Sequence, residues 1–445
     1  TIGAPDDAAR TTVPVINGWA LKIFVYSENN LFQIAKVFST LQILLIFILA
    51  YLLFRNYLAA SLSAIGMALL PINIYWSPSI NLDTFAVTFA LLSLIGALWY
   101  ARTPNIKSGL FFAFSFFLLL GVRIESFIFF PVVTLAIYVV RKESKIPIFT
   151  KMELRYVILF LSLIAFRAIL SVSVIGQKWC CAEALPLEVF YPSYFIRDLL
   201  PNILHFFTRI EFPFIISVLA FISLAGGKGK SRFILGLWIA AYFVLYSTYY
   251  AGNFFTPEFS GSYGRYFLMM IPPTIILASI TVVKTVEKFK TKRLALAIIV
   301  LLFLLPLTPM ALRYKTLISS SPYFTFVEAG PKALHEFMEY GILKSTPQDS
   351  IIIHSLTGYI LLEGRTSVFI GYFLTRNDVI DFIKVSLRKN IPVYMLETHQ
   401  CEIFPERCNM VVNKFKFTPM NIDGGRNLGL DLSKVELLEA TPSGK

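Results

Sequence analysis

The chain has 445 residues, of which 56% are hydrophobic and 15% are charged, and its formal net charge at pH 7 is +13. With a mean hydropathy of +0.68, it carries more apolar surface than a soluble core could bury. The composition therefore excludes an ordinary soluble enzyme and predicts a polytopic α-helical membrane protein.

The chain opens with a polar stretch that contains two adjacent carboxylates, Asp6 and Asp7. Neighbouring acids on a loop at a bilayer surface are suited to take a proton from a hydroxyl or to hold a cation. They are equally suited to be solvated charges or an N-cap, because they precede Ala8-Ala9-Arg10. Taken alone, the acidic pair favours solvated charges or an N-cap. The rest of the chain must decide between this interpretation and a functional one.

Ten apolar segments approach the length of about 20 helical residues that a hydrocarbon core requires. The fourth and fifth are short and abut each other. The ten segments span residues 38–54, 58–76, 83–101, 107–122, 124–140, 155–175, 211–226, 232–250, 265–283 and 294–312. Because the chain begins at Thr1 within a polar loop, we expect one further span upstream of it.

Basic residues between the spans predict the orientation, since Lys and Arg are retained on the cytoplasmic side. With residues 1–30 placed outside as the first external loop, the inside loops contain sixteen Lys and Arg against three Glu. This asymmetry accounts for the whole net charge, so the high pI does not indicate nucleic-acid binding. Residues 28–38 alternate at helical spacing and predict either an interfacial helix or an extension of the first span.

Several ionisable residues lie at the predicted external ends of the spans. Asp83 opens a span, where the helix dipole favours an acid. Arg123 and Glu125 interrupt two apolar stretches, which predicts either a cavity lining at membrane depth or a surface turn with a snorkelling arginine. Arg265 stands at the mouth of another span beside Tyr266, where it suits phosphate binding or interfacial anchoring.

Past residue 312 the composition becomes that of a soluble domain. Residues 330–338 and 377–389 predict helices, and 349–354 and 391–396 predict short buried strands, so 313–445 is expected to form a small extracytoplasmic α/β domain. It contains no phosphate-binding loop, and we assign it no chemistry. Cys401 and Cys408 could form a disulfide in an oxidising compartment or remain thiols.

The order of these weak motifs resembles that of the GT-C membrane glycosyltransferases, in particular the protein O-mannosyltransferases and the lipid A aminoarabinose transferases. The resemblance covers roughly the first 310 residues. It rests on the acidic first loop, residues 14–24, Asn81-Leu82-Asp83, the stretch 121–125 and the stretch 264–273. That branch carries Asp-Glu where this chain has Asp6-Asp7, and often Lys-Pro-Pro where this chain has Thr12-Val13-Pro14.

The resemblance implies an inverting transferase that takes a sugar from a polyprenyl phosphate. Asp6 or Asp7 would be the general base on an acceptor hydroxyl of a protein, lipid or glycan. Arg265 and Arg123, with Tyr266, would bind the donor phosphate, because the lysine of the family is absent. Glu125 and Asp83 would orient these groups or the sugar. Whether a divalent metal assists is open, since one Asp pair offers few ligands.

The long external C-terminal domain suits an integral protein of a prokaryotic plasma membrane, with an extracytoplasmic active site that would be lumenal in a eukaryote. The alternative function is a transporter or flippase for a lipid-linked or small anionic substrate, which predicts internal repeats and charges deep within spans. The sequence shows no repeat, and Arg167 is the main charge inside an apolar span.

Overall fold

In the computed structural model, the described residues form a helical unit and a smaller sheet-containing unit. The described residues are 12–23, 28–70, 73, 82–147, 162, 165, 192–208, 214–227, 229–248, 264–289, 291–307, 342–354, 365–396, 411, 413–420 and 432–438. The helices between Thr12 and Leu307 form the first unit, and the strands after Ile342 form the second.

The helical unit contains eleven described α-helices. They are α1 (Thr12–Ile23), α2 (Glu28–Phe54), α3 (Tyr57–Leu69), α4 (Leu82–Arg102), α5 (Ile106–Val122), α6 (Phe130–Ser144), α7 (Pro192–Thr208), α8 (Phe214–Ala225), α9 (Lys230–Ser247), α10 (Ile271–Val286) and α11 (Lys292–Ile299). Two 3₁₀ helices, Ile124–Phe129 and Gly264–Met270, precede α6 and α10, and a π-helical turn, Val300–Leu304, follows α11.

Nine of the ten predicted apolar segments coincide with described helices, while segment 155–175 lies almost entirely outside the described residues. Among the described helices, three are long and apolar enough to cross a membrane: Gln33–Phe54, Leu82–Arg102 and Phe267–Val286. Membrane helices are therefore present, whereas the number of spans and the placement of residues 313–445 stay predictions.

The structure decides between the two interpretations of residues 28–38, an interfacial helix or an extension of the first span. Residues 28–38 continue into the apolar segment as one 27-residue helix, α2, so they extend the span and form no separate interfacial helix. Within the segment 1–30, which the sequence predicts as the first external loop, residues Thr12–Ile23 form the helix α1.

Helices α4 and α5 pack closely against each other at the centre of the bundle. A capping box starts α5, with the Asn105 side chain accepting from the Ser108 backbone N–H. On α4, Gly96 allows the close approach, because a Cβ there would lie 3.0 Å from the Phe112 Cα atom. Backbone that close cannot yield as a flexible side chain can, so a glycine is required here.

We expect Gly96→Ala to lower the thermal unfolding midpoint of the full chain in detergent. The added methyl group forces α4 and α5 apart, and overpacking of this kind costs about 1–3 kcal/mol. Gly18→Ala in α1 is the matched control, because a Cβ at Gly18 meets no atom within 4 Å. Equal midpoints for the two variants would contradict the close packing.

The second unit is built on a five-stranded mixed sheet. Its strands are β1 (Ile351–His354), β2 (Thr366–Phe369), β3 (Val393–Leu396), β4 (Phe415–Met420) and β5 (Leu432–Leu437), in the order β2-β1-β3-β5-β4. β1 pairs in parallel with β2 and β3, whereas β5 pairs antiparallel with β3 and β4. Helices α12 (Ile370–Thr375) and α13 (Asn377–Arg388) connect β2 to β3.

The predicted strands and the predicted helix 377–389 of this unit are therefore present, whereas the predicted helix 330–338 lies outside the described residues. Arg365 holds the segment that leads into the sheet, because its guanidinium donates hydrogen bonds to the carbonyls of Leu343, Thr346 and Pro347. Desolvation by burial lowers the pKa of Arg365.

His354 ends β1 inside the sheet core with no exposed surface. Burial lowers its pKa to about 3, because desolvation disfavours the imidazolium form. The folded unit therefore holds the imidazole neutral at physiological pH, whereas the unfolded chain protonates it near pH 6.5.

We expect the sheet unit to lose stability as pH falls below about 6.5, since the unfolded chain then binds a proton that the folded chain does not. Between pH 6.5 and 5 the loss from this one group is about 2 kcal/mol. Hydrogen exchange of β1 and β3 in the full chain, corrected for the intrinsic pH dependence, measures it. His354→Gln should flatten the pH dependence. An unchanged slope in that variant would assign the effect to another group.

Candidate functional site

A buried ion pair joins the beginning of α4 to the end of α5. The carboxylate of Asp83, in the first turn of α4, lies 2.6 Å from a terminal guanidinium nitrogen of Arg123. The side chains are 1% and 8% exposed, respectively. Two of the residues singled out from the sequence are thus in direct contact, and the alternative of a surface turn at Arg123 is wrong.

The local backbone explains why Arg123 stands at this point. Helix α5 ends at Val122, and Arg123 adopts extended angles of φ −142° and ψ 128°. Its N–H still donates to the Leu119 carbonyl, at 3.3 Å, and its own carbonyl accepts from the Ser126 N–H, at 3.1 Å. The helix therefore breaks without leaving these backbone groups unsatisfied, as an apolar environment demands.

Ser126 is a polar residue of the site that sequence reasoning missed. It lies in the 3₁₀ helix Ile124–Phe129 that follows Arg123, and it is 1% exposed. Its hydroxyl has no hydrogen-bond partner among the described residues. A buried hydroxyl of this kind is available to bind a ligand group.

A second buried polar contact lies beside Asp83. The Gln42 side chain, from α2, donates to the Thr84 carbonyl at 2.7 Å and to the Thr88 hydroxyl at 3.1 Å. Gln42 is 1% exposed and Thr88 is fully buried. This contact fixes α2 against the first turns of α4 and so fixes the helix that carries Asp83. The sequence analysis overlooked Gln42, although an amide inside an apolar span is itself a signal.

The first loop is anchored near the same place. The Thr12 hydroxyl, at the start of α1, donates to the Leu118 carbonyl of α5 at 2.9 Å. Leu118 precedes Arg123 by five residues, which is about 7.5 Å along a helix axis. Asp7 precedes Thr12 by five residues, so the chain can carry it at most about 18 Å from this anchor.

Both 3₁₀ helices pack against α9, which brings their backbones to one region of the helical unit. Phe129 stacks edge-on against Trp238 of α9 with ring centroids 4.8 Å apart, and it also contacts Tyr242. The second 3₁₀ helix, Gly264–Met270, additionally packs against α4, the helix of Asp83. The residues from Phe267 to Met270 are buried there.

The remaining predicted site residues are described in part or not at all. Glu125 lies on the first 3₁₀ helix, and Arg265 and Tyr266 lie on the second. For these three residues the structure describes the backbone and not the side chain. Asp6, Asp7, Cys401 and Cys408 lie outside the described residues. Within the described part of the chain, no three His, Cys, Asp or Glu side chains form a group that could hold a metal ion.

The sequence has no match among family models or curated proteins, whereas the structure matches seventeen solved chains. The apo oligosaccharyltransferase of Archaeoglobus fulgidus matches at a TM-score of 0.50 and 11% identity, over 93% of this chain and 65% of that one. ArnT of Cupriavidus metallidurans, bound to undecaprenyl phosphate, matches at a TM-score of 0.54 and 11% identity, over 93% of this chain and 85% of that one.

The chain thus spans just under two thirds of the length of the oligosaccharyltransferase that it matches. Both neighbours are GT-C glycosyltransferases, so the predicted resemblance is confirmed at the level of the fold. Together with the long apolar helices, this similarity makes the chain an integral membrane protein.

We expect Asp83→Asn to lower the stability of the helical unit by about 3–5 kcal/mol, because the substitution leaves the Arg123 guanidinium buried without its counter-charge. Glu143→Gln is the matched control, since it breaks an ion pair with Lys230 whose side chains are about half exposed. That variant should lose less than about 1 kcal/mol.

The thermal unfolding midpoint in detergent measures both changes. The double variant Asp83→Asn, Arg123→Gln should recover part of the loss, since no charge is then left buried alone. Additive losses from the two substitutions would contradict a direct interaction.

Proposed function

We propose that this chain, which has the fold of the GT-C glycosyltransferases, transfers a sugar from a polyprenyl-phosphate carrier to an acceptor hydroxyl. The observation that carries the proposal is the buried contact between Asp83 and Arg123 at the break after α5. A charged pair in an apolar bundle is costly, and such pairs are retained where they serve a substrate path. The reaction takes place at the external face of the membrane.

Arg123 binds the phosphate of the donor in this proposal. A guanidinium has five N–H donors in a planar fork, and the contact with Asp83 engages one terminal nitrogen. Such a planar fork suits two oxygens of a phosphate. Asp83 is a positioning residue, because it holds the guanidinium in one orientation before the substrate arrives. Preorganised charge of this kind is most effective where water is excluded.

Arg265 and Tyr266 supply a second contact to the same phosphate. Support comes from the packing of their 3₁₀ helix against both α4 and α9. The 3₁₀ helix that begins directly after Arg123 and contains Glu125 also packs against α9. Arg123 and Arg265 therefore both belong to segments next to α9. Glu125 orients these groups or a sugar hydroxyl.

Asp6 or Asp7 acts as the general base. The base takes the proton from the acceptor hydroxyl as the hydroxyl oxygen attacks the anomeric carbon of the sugar. The bond from that carbon to the phosphate oxygen breaks, and its electron pair leaves with the polyprenyl phosphate. Attack from the face opposite the leaving group inverts the configuration. Support comes from the Thr12 anchor on α5, which keeps the first loop within reach of this region.

The acceptor is a protein, lipid or glycan, and the membrane is the plasma membrane of a prokaryote. We propose that the sheet unit, which the sequence places at the same external face, takes part in presenting the acceptor. The transporter alternative is not favoured, because both structural neighbours are transferases.

We expect membranes that contain the full chain to transfer sugar from a radiolabelled polyprenyl-phosphate donor, and Asp6→Asn or Asp7→Asn to lower the rate about 10²–10⁴-fold, the usual contribution of a general base. Asp378→Asn is the matched control, because Asp378 pairs with Arg376 on the exposed face of the sheet unit. The assay is run with and without a divalent metal.

Arg123→Lys should raise the KM for the donor, because lysine keeps the charge but loses the planar fork. Full activity in both Asp variants would refute the assignment of the base. If the wild type transfers sugar from none of the donors tried, the result would favour the alternative function of a transporter.

A further inference from the structure

Another buried arginine, Arg232, lies in a segment that the predicted topology places on the cytoplasmic side, opposite the proposed catalytic region. It is the third residue of α9, directly after the turn that joins α8 to α9. Arg232 is only 7% exposed. Its side chain crosses the turn and lies against Gly227, so that a Cβ at Gly227 would collide with the guanidinium.

Arg232 forms part of the wall of an apolar groove of about 380 Å³. The rest of the wall consists of Leu224, Phe233, Gly236, Leu237 and Ala240, together with Gly227. Ligand sites in proteins commonly have volumes of about 300–1,000 Å³. The two small residues, Gly236 and Ala240, lie one turn apart on α9 and leave room for a chain running along the helix.

No acidic group, carbonyl or aromatic ring among the described residues pairs with the Arg232 side chain. An acid of this region, Glu143, pairs with Lys230 at 3.2 Å. A guanidinium beside an apolar wall favours an anionic partner. The groove therefore combines an apolar wall with a cation that has no partner among the described residues, which suits an anionic group attached to an apolar chain.

We propose that this groove binds an anionic glycerophospholipid from the membrane leaflet on that side. Arg232 binds the lipid phosphate, and the first methylene groups of an acyl chain lie along Gly236, Leu237 and Ala240. The surroundings favour a lipid over a free anion, because Phe221, Ile222 and Phe233 expose half or more of their surface. Such side chains on a membrane helix face lipid, so a bilayer lipid can enter the groove from the side.

This site differs from the proposed catalytic region in its residues. Arg232 lies in the first turn of α9, whereas the α9 residues that contact the 3₁₀ helix Ile124–Phe129 are Trp238 and Tyr242, which do not line the groove. In the predicted orientation Arg232 faces the cytoplasm, so its lipid is not the donor of the external reaction.

Native mass spectrometry of the full chain tests the proposal. We expect the wild type to retain one phosphatidylglycerol molecule in preference to phosphatidylcholine with the same acyl chains. Arg232→Gln should weaken that adduct about tenfold, since the charge-assisted hydrogen bonds to the phosphate are lost. Lys230→Gln is the matched control. It also removes one positive charge, but from an exposed side chain two residues before Arg232.

Gly236→Leu provides an independent variant that keeps Arg232 and fills the groove, and it should lose the same adduct. Because a Cβ at Gly236 lies 3.0 Å from a Leu224 methyl group, cooperative unfolding of this variant is verified first. The proposal is overturned if Arg232→Gln or folded Gly236→Leu binds phosphatidylglycerol as the wild type does. It is also overturned if phosphatidylcholine binds equally well, if Lys230→Gln weakens binding as much, or if millimolar inorganic phosphate displaces the lipid.

Discussion

The contact between Asp83 and Arg123 is the interaction on which the arrangement of the central helices depends. Burial of two charges costs several kcal/mol per ion, and their attraction offsets that cost only when the geometry is good. The 2.6 Å distance fixes the start of α4 against the end of α5. Because α5 stops at Arg123 with extended backbone angles, the pair also determines where the following 3₁₀ helix begins.

The polar groups around this pair make it rigid. Gln42 ties α2 to the first turns of α4, and Thr12 ties α1 to the end of α5. In an apolar bundle each such hydrogen bond has no water to compete with it, so its loss leaves a buried group unsatisfied. Polar contacts thus hold the start of α1 to the end of α5, and the middle of α2 to the first turns of α4, while the rest of the bundle is held by apolar packing.

The sequence predicted the helices well because hydropathy is a local property. Each apolar run long enough to approach a membrane thickness became a helix where it is described, and the predicted strands 349–354 and 391–396 were equally clear from their buried residues. The strands β2, β4 and β5 were not predicted, and β4 shows a physical reason. It is an edge strand in which three of six residues are exposed, and it contains Pro419, so it has no long apolar run.

The site was predicted only as separate residues. Asp83 and Arg123 were both identified from their charge in an apolar context, but they are forty residues apart, and nothing local indicates that they touch. The hydroxyl of Ser126 and the amide of Gln42 were missed because a single neutral polar residue in a span carries little pattern. Their significance follows from burial, which is a property of the packed helices and not of the residue itself.

Among the described residues of the helical unit, three arginines are buried, and their partners differ in a way that indicates their functions. Arg123 has a carboxylate partner, Asp83, which fixes the orientation of its guanidinium. Arg141 lies 4.8 Å from the Tyr100 ring and donates to the Pro147 carbonyl, which suits a purely structural cation at the end of α6. Arg232 has neither kind of partner in the described part of the chain, and its charge faces an apolar groove. Because no described residue pairs with its guanidinium, Arg232 suits a ligand as its partner, and at a membrane surface an anionic lipid headgroup supplies the matching charge.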